Sequence, residues 1–144
     1  MKKYIELLCT FLILAFIWGN SLRDAPHSSV ESQWVLDMLR SLLSAVPGIK
    51  HLTMHIVRKM AHLTEYMALG FFLSLTCLAF KKTIYPWTIL LTGLLIASLD
   101  EILQLFSPGR SSQISDVILD TFGVFLGLSV VYVLKKWIGN RNKP

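Results

Sequence analysis

The chain has 144 residues, of which 53% are hydrophobic and only 16% charged, with a formal net charge of +5. A soluble domain of this size usually carries about 25% charged residues, so the mean hydropathy of +0.56 points away from a soluble core and toward an all-α integral membrane protein. The basic residues gather at the ends of apolar runs, which is a topology signal and excludes a nucleic-acid partner.

Crossing a bilayer core takes about 20 apolar residues in a helix, and four windows qualify, near residues 4–18, 60–80, 85–106 and 114–134. The first, preceded by Lys2 and Lys3, also has the look of a secretory leader, with "GNS" at 19–21 as a passable cleavage site. It is read as a retained span, because no recognisably soluble domain follows it. Cys9 and Cys77 lie inside the apolar windows and read as packing residues.

Between the first and second windows, residues 28–46 read as an amphipathic helix too polar to span. Ser28 with Glu31 has the spacing of a capping box. Val35, Leu39, Leu42, Leu43 and Val46 share one face of that helix, which would lie on the outer surface or over the bundle, as an interfacial brace or as a lid over a site. Lys81 and Lys82 between the second and third windows, with Lys135, Lys136, Arg141 and Lys143 at the far end, join Lys2 and Lys3 on one side of a four-span chain. That side is therefore expected in the cytoplasm, with both termini, and the loop after the first span outside. No internal repeat or linker appears, so residues 1–144 read as a single membrane domain.

Polar residues then concentrate where a greasy chain can least tolerate them. In "RKMAHLTEYMALG", Arg58 and Lys59 precede His62, Glu65 and Tyr66, which share a helix face; His51 and His55 extend the histidine spacing upstream. The third span ends with Asp100, Glu101 and Gln104, a Pro108–Gly109–Arg110 turn follows, and the fourth span opens with Asp116 and Asp120. Ser111, Ser112 and Ser115 are placed to cap that fourth helix. Glycines at 123 and 127 form a GxxxG step on the face of Asp116 and Asp120, and Gly93 and Ala97 lie on the face of Asp100. The carboxylates thus sit on packing faces and are expected to converge at one end of the bundle. Intramembrane ionisable groups mark functional sites by default. Arg58, Lys59 and Arg110 suit a phosphate or carboxylate head group, while His62, Glu65, Asp100, Glu101 and Asp116 are the candidates for metal ligands or acid–base groups. Glu6, a turn from the other end of its span, can reach water and reads as structural. No P-loop, GxSxG or HExxH motif is present, so no established enzyme class is indicated and no cofactor is named.

"RKMAHLTEYMALGFFL" (58–73) and "DEILQLFSPGRSSQISDVILDTFGVFLG" (100–127) together resemble the two signature blocks of the VanZ-like family. That pattern runs as a basic residue, His-x-x-Glu-Tyr, then Asp-Glu-x-x-Gln, a Pro-Gly-Arg turn, Asp, and Asn-x-x-Gly. Asp120 stands where the family usually has Asn. The resemblance covers about residues 55–134 and implies a multi-pass protein of the bacterial plasma membrane that contributes to teicoplanin tolerance. Its expected ligand is a lipid-linked cell-wall precursor or a lipoglycopeptide. Two other classes stay open: a membrane enzyme modifying a lipid or cell-wall intermediate, and a structural partner of another membrane protein.

Overall fold

The structure, a computed structural model, describes residues 2–141, apart from the side chain of Lys2. It is all-helical over those residues. Helices α1 (Lys2–Ser21), α3 (Met54–Lys81), α4 (Pro86–Gln104) and α5 (Ile114–Arg141) are each long and apolar enough to cross a membrane. Helix α2 (Ala25–Leu42) and a single 3-10 turn (Ile49–His51) fill the connection between the first two spans.

Each boundary has a local cause. Thr53 caps α3 by accepting from the Ile56 amide at 3.3 Å, which starts that helix one and a half turns before the expected residue 60. Arg58 and Lys59 therefore ride on the spanning helix itself. The α3 carboxyl end is closed by Lys82 in the left-handed region (φ 59), its amide returning to the Leu78 carbonyl. Pro86 opens α4, where a missing N–H leaves nothing unsatisfied. Gly109, at φ +76, allows the turn that leaves α4.

Helix α3 is central, with α5 against one side, α1 against another, and α4 packed chiefly on α5. The α3–α5 seam is a backbone contact. A Cβ on Gly123 would stand 2.8 Å from the Leu63 carbonyl oxygen and 2.9 Å from Tyr66 Cβ; one on Gly127 would strike the Met67 and Phe71 backbone. The expected GxxxG step thus seats α5 on α3, and Gly70 answers it from the α3 side by meeting the Val124 backbone. Gly93 of α4 receives the Val124 side chain. Around this seam Ile17, Tyr66, Leu69, Ile89, Ala97 and Val124 form the buried core. Most other large apolar side chains point outward, as lipid-facing residues do.

Helix α2 departs from expectation at both ends. Its cap is Asp24, which accepts from the His27 amide at 3.3 Å, and Pro26 follows in the first turn. Ser28 already lies inside the helix, its amide bonded to the Asp24 carbonyl, and Glu31 pairs with Arg23 instead of closing a capping box. The helix ends at Leu42, and Leu42, Leu43 and Val46 are exposed. Its inward stripe is Val35, Leu36 and Leu39, laid on α3, and Arg40 ties the far end down by donating to the Leu52 carbonyl at 2.8 Å. The Ala25 amide donates to the Pro108 carbonyl at 3.1 Å, so the start of α2 is fastened to the turn after α4. His51 lies in the 3-10 turn and His55 in α3, so the two do not form one helical stripe. Cys9 and Cys77 are free thiols.

Candidate functional site

The polar side chains meet at the end of the bundle covered by α2. Asp100, Tyr66 and Asp120 are fully buried, and Glu101 and Gln104 nearly so. They come from three helices, and three different jobs divide them.

The first job is holding the helix ends. Glu101 accepts from the Gln113 amide at 2.6 Å, so the carboxylate of α4 caps the start of α5. This is the role Ser111, Ser112 and Ser115 were expected to fill; Ser111 and Ser112 make no capping bond, and Ser115, inside α5, donates to the Gln113 and Asp116 side chains instead. A carboxylate there also meets the positive end of the helix dipole. Symmetrically, the turn after α4 donates to two carbonyls at the end of α1, of which that of Asn20 also accepts from the Arg23 amide. Ser107 donates to the Ser21 carbonyl at 2.9 Å, and Arg110 donates through Nη2 to the Asn20 carbonyl at 3.0 Å. Asn20 in turn donates to Glu65 at 3.0 Å. Lys59 and Asp116 form an ion pair at 3.1 Å. Glu65, Glu101 and Asp116, all expected among metal ligands or acid–base groups, each hold a neighbour, and Glu101 keeps Oε1 buried without a partner.

The second job belongs to His62, Asp100 and Asp120. One ligand atom from each lies within 4.8 Å of the other two. Gln104 donates to Asp100 Oδ2 at 3.1 Å, which fixes that carboxylate. Asp100 Oδ1, both oxygens of Asp120, His62 Nδ1 and the Tyr66 hydroxyl are buried without a hydrogen-bond partner. The position where the chain departs from the family pattern, Asp120, is therefore the least satisfied side chain in the bundle.

The third job belongs to the arginines. Arg58 and Arg110 make no ion pair among the described residues. Partial burial pushes the Arg110 guanidinium below its usual value and the nearby charge of Arg58 pushes it further, against the pull of Asp100, Glu101 and Glu65. Two guanidiniums that repel each other inside a cleft are each stabilised by an anion placed between them.

Both arginines and His62 line two cavities that meet at their side chains. One is a groove of about 560 Å³ between α1, α2 and α3, walled by Phe16, Val35, Leu39, Val57 and Met60, with Asn20 and Glu65 at its base. The other is a polar space of about 110 Å³ that also touches Lys59, Gln104 and Asp116. Volumes of ~300–1,000 Å³ are usual for ligand sites, so the groove is large enough to hold a ligand and the smaller space suits a head group or water. The α1 contribution, Asn20 above all, was not foreseen. The only hint in the sequence was polar "GNS" at the end of an apolar run, which reads equally as a cleavage site.

No curated protein and no solved structure matches the chain. The model of the VanZ/LLP1 family does, over residues 4–135. That match takes in all four spans, the Pro-Gly-Arg turn and every side chain of the site, and the chain belongs to the VanZ/LLP1 family.

Proposed function

We propose that this protein binds an amphiphile at the extracytoplasmic surface of the bacterial plasma membrane, with both termini in the cytoplasm. The occupant is a lipid-linked cell-wall precursor or the acylated tail of a lipoglycopeptide, and binding contributes to teicoplanin tolerance. The observation that carries this reading is the join of the two cavities at Arg58, His62 and Arg110. An apolar groove alone would suit any lipid chain, and a polar space alone would suit water. Their meeting at two unpaired guanidiniums suits a molecule with an apolar chain on one side and a phosphate or carboxylate on the other. Phe16 and Met60 are exposed on the spans beside the groove, which is consistent with entry of the chain from the lipid.

Arg58→Gln is the cleanest test. Arg58 makes no hydrogen bond or ion pair among the described residues, so its loss leaves no partner stranded, whereas Arg110→Ala would also uncap α1. In a teicoplanin-susceptible Gram-positive host, Arg58→Gln is expected to remove the tolerance conferred by the wild-type protein at equal membrane abundance. Tolerance retained at equal abundance would contradict the reading.

A second reading, a membrane enzyme acting on the same class of molecule, draws on the His62, Asp100 and Asp120 constellation. In that reading the amphiphile would be a substrate and His62, which lines both cavities, would face its head group. The third class, a structural partner of another membrane protein, draws on no feature of the site.

A further inference from the structure

We infer that His62, Asp100 and Asp120 form a binding site for one divalent transition-metal cation of the zinc class. The inference goes beyond amphiphile binding and does not require it. Ligand atoms of the three side chains lie within 4.8 Å of one another although they come from α3, α4 and α5. Zinc holds its donors at about 2.0–2.2 Å, so three of them around one ion stand roughly 3.3–3.6 Å apart, and only a small contraction is needed. His62 Nδ1 and Asp120 Oδ2 are 3.8 Å apart, too long for a hydrogen bond and close to the spacing of two donors on one ion.

A second observation, independent of the clustering, points to a cation. Asp120 is 0% exposed, with neither oxygen hydrogen-bonded, and Asp100 is 0% exposed, with Oδ1 outside regular hydrogen-bond geometry although the buried Ser21 hydroxyl lies near that carboxylate. Two carboxylates beside each other without a counterion are strongly disfavoured in a medium of low dielectric constant. Lys59 is engaged with Asp116, Arg110 donates to the Asn20 carbonyl, and Arg58 makes no ion pair or hydrogen bond with either carboxylate, so no side-chain cation pairs with Asp100 or Asp120 except His62 at 3.8 Å. One divalent ion would neutralise both carboxylates and satisfy the histidine nitrogen together. The donor set selects the metal class: one imidazole with two carboxylates suits zinc, with manganese or iron(II) next, and is a poor match for an all-oxygen calcium or magnesium site. A supporting shell is present. Gln104 orients Asp100 at 3.1 Å, and the Tyr66 hydroxyl lies unpartnered four residues along α3 from His62. His62 and Gln104 line the small polar cavity, which supplies an entry path.

The test is made on the full chain without an affinity tag, in detergent, stripped with a chelator, given zinc chloride and then desalted. The wild type is expected to keep one zinc ion per chain and to melt at a higher temperature than the stripped protein. His62→Gln and Asp120→Asn are each expected to lower zinc affinity by at least ~100-fold, more than the loss of a supporting hydrogen bond does. The exposed Asp37→Asn should bind as the wild type does. Asp120→Asn removes an unpaired buried charge and is expected to fold without metal at least as well as the stripped wild type; should it fail to, His62→Gln, on a side chain 22% exposed and lining the cavities, carries the same test. Wild-type protein that keeps no zinc and shows no thermal shift overturns the site. So does unchanged zinc affinity in a folded variant of either residue, and so does displacement of the zinc by a modest excess of magnesium.

Discussion

Glu101 and Asp120 are both acidic and both buried, yet their neighbours give them opposite characters. Glu101 has a backbone amide to accept, and it closes the start of α5. Its loss should therefore be felt as stability. Glu101→Ala leaves the Gln113 amide without its partner, a defect of about 1–3 kcal/mol. Thermal unfolding in detergent should show a clear drop for Glu101→Ala and a smaller one for Glu101→Gln, which can still accept. Asp120 has no such partner, so Asp120→Asn should leave unfolding of the metal-free protein unchanged or raised. Spacing along the chain could place both residues on packing faces, because i, i+4 relations with Ala97, Gly93, Gly123 and Gly127 are visible in the string. It could not say which carboxylate would find an amide, since Gln113 is reached only through the fold of the turn at 107–110.

At the scale of helices, the seam between α3 and α5 depends on absent side chains. Gly127→Leu would push against the backbone of Met67 and Phe71, which cannot move aside as a side chain can. Overpacking of this kind usually costs ~1–3 kcal/mol and often more when backbone is struck. Gly127→Leu should lower the melting temperature well below that of Gly139→Leu, whose Cβ would meet nothing within 4 Å. Equal melting of the two would mean that α5 does not rest on α3 through this face. Helix α2 offers a pH-dependent counterpart. The His27 ring, bonded to Asp24 at 2.6 Å, holds the cap carboxylate below its usual value. A depressed carboxylate contributes its stabilisation above the ordinary value of about 3.9 and loses it as pH falls through the lowered one. Amide exchange at the start of α2, corrected for its intrinsic pH dependence, should thus stay protected at neutral pH and lose protection below about pH 4, and Asp24→Asn should remove most of that change.

The spanning helices were legible because a membrane segment announces itself by composition over a long window, and their number needs no tertiary information. The short amphipathic helix was legible only in outline. Ser28 with Glu31 satisfies a local capping pattern, but Asp24 lies one turn earlier, has Pro26 behind it, and is fastened through Ala25 to Pro108, which is remote in sequence. The inward stripe of α2 shifted for the same reason. Val35, Leu36 and Leu39 face α3 because of how that start is pinned, and Leu42 and Val46 then fall outside.

At the scale of the whole molecule, the site is an assembly of ends. The carboxyl end of α1, the early turns of α3, the turn after α4 and the start of α5 meet under α2, and the end of α1 and the start of α5 are each held by side chains from elsewhere in the chain. Beside these caps the junction keeps buried polar atoms without partners, on His62, Tyr66, Asp100 and Asp120 and also on Ser21, Glu101 and Arg110. The proposed orientation, drawn from the lysine asymmetry, puts this junction outside the cell, and it predicts that reporter fusions after Lys82 and Lys143 read cytoplasmic while one at Pro47 reads extracytoplasmic. A cytoplasmic signal at Pro47 would move the junction to the inner leaflet and contradict the proposed extracytoplasmic site.

The central claim is that the arginine pair holds the anionic head of an amphiphile whose chain occupies the groove. Its most direct test is binding of a fluorescent polyprenyl phosphate to the protein in nanodiscs of zwitterionic lipid, compared with the uncharged polyprenol of the same length. The account predicts saturable binding of the phosphate and a loss of at least ~10-fold in affinity with Arg58→Gln, the scale of one charge-assisted hydrogen bond. It further predicts weaker binding of the alcohol, unaffected by that substitution. Equal binding of phosphate and alcohol, or full phosphate binding by Arg58→Gln, would contradict it.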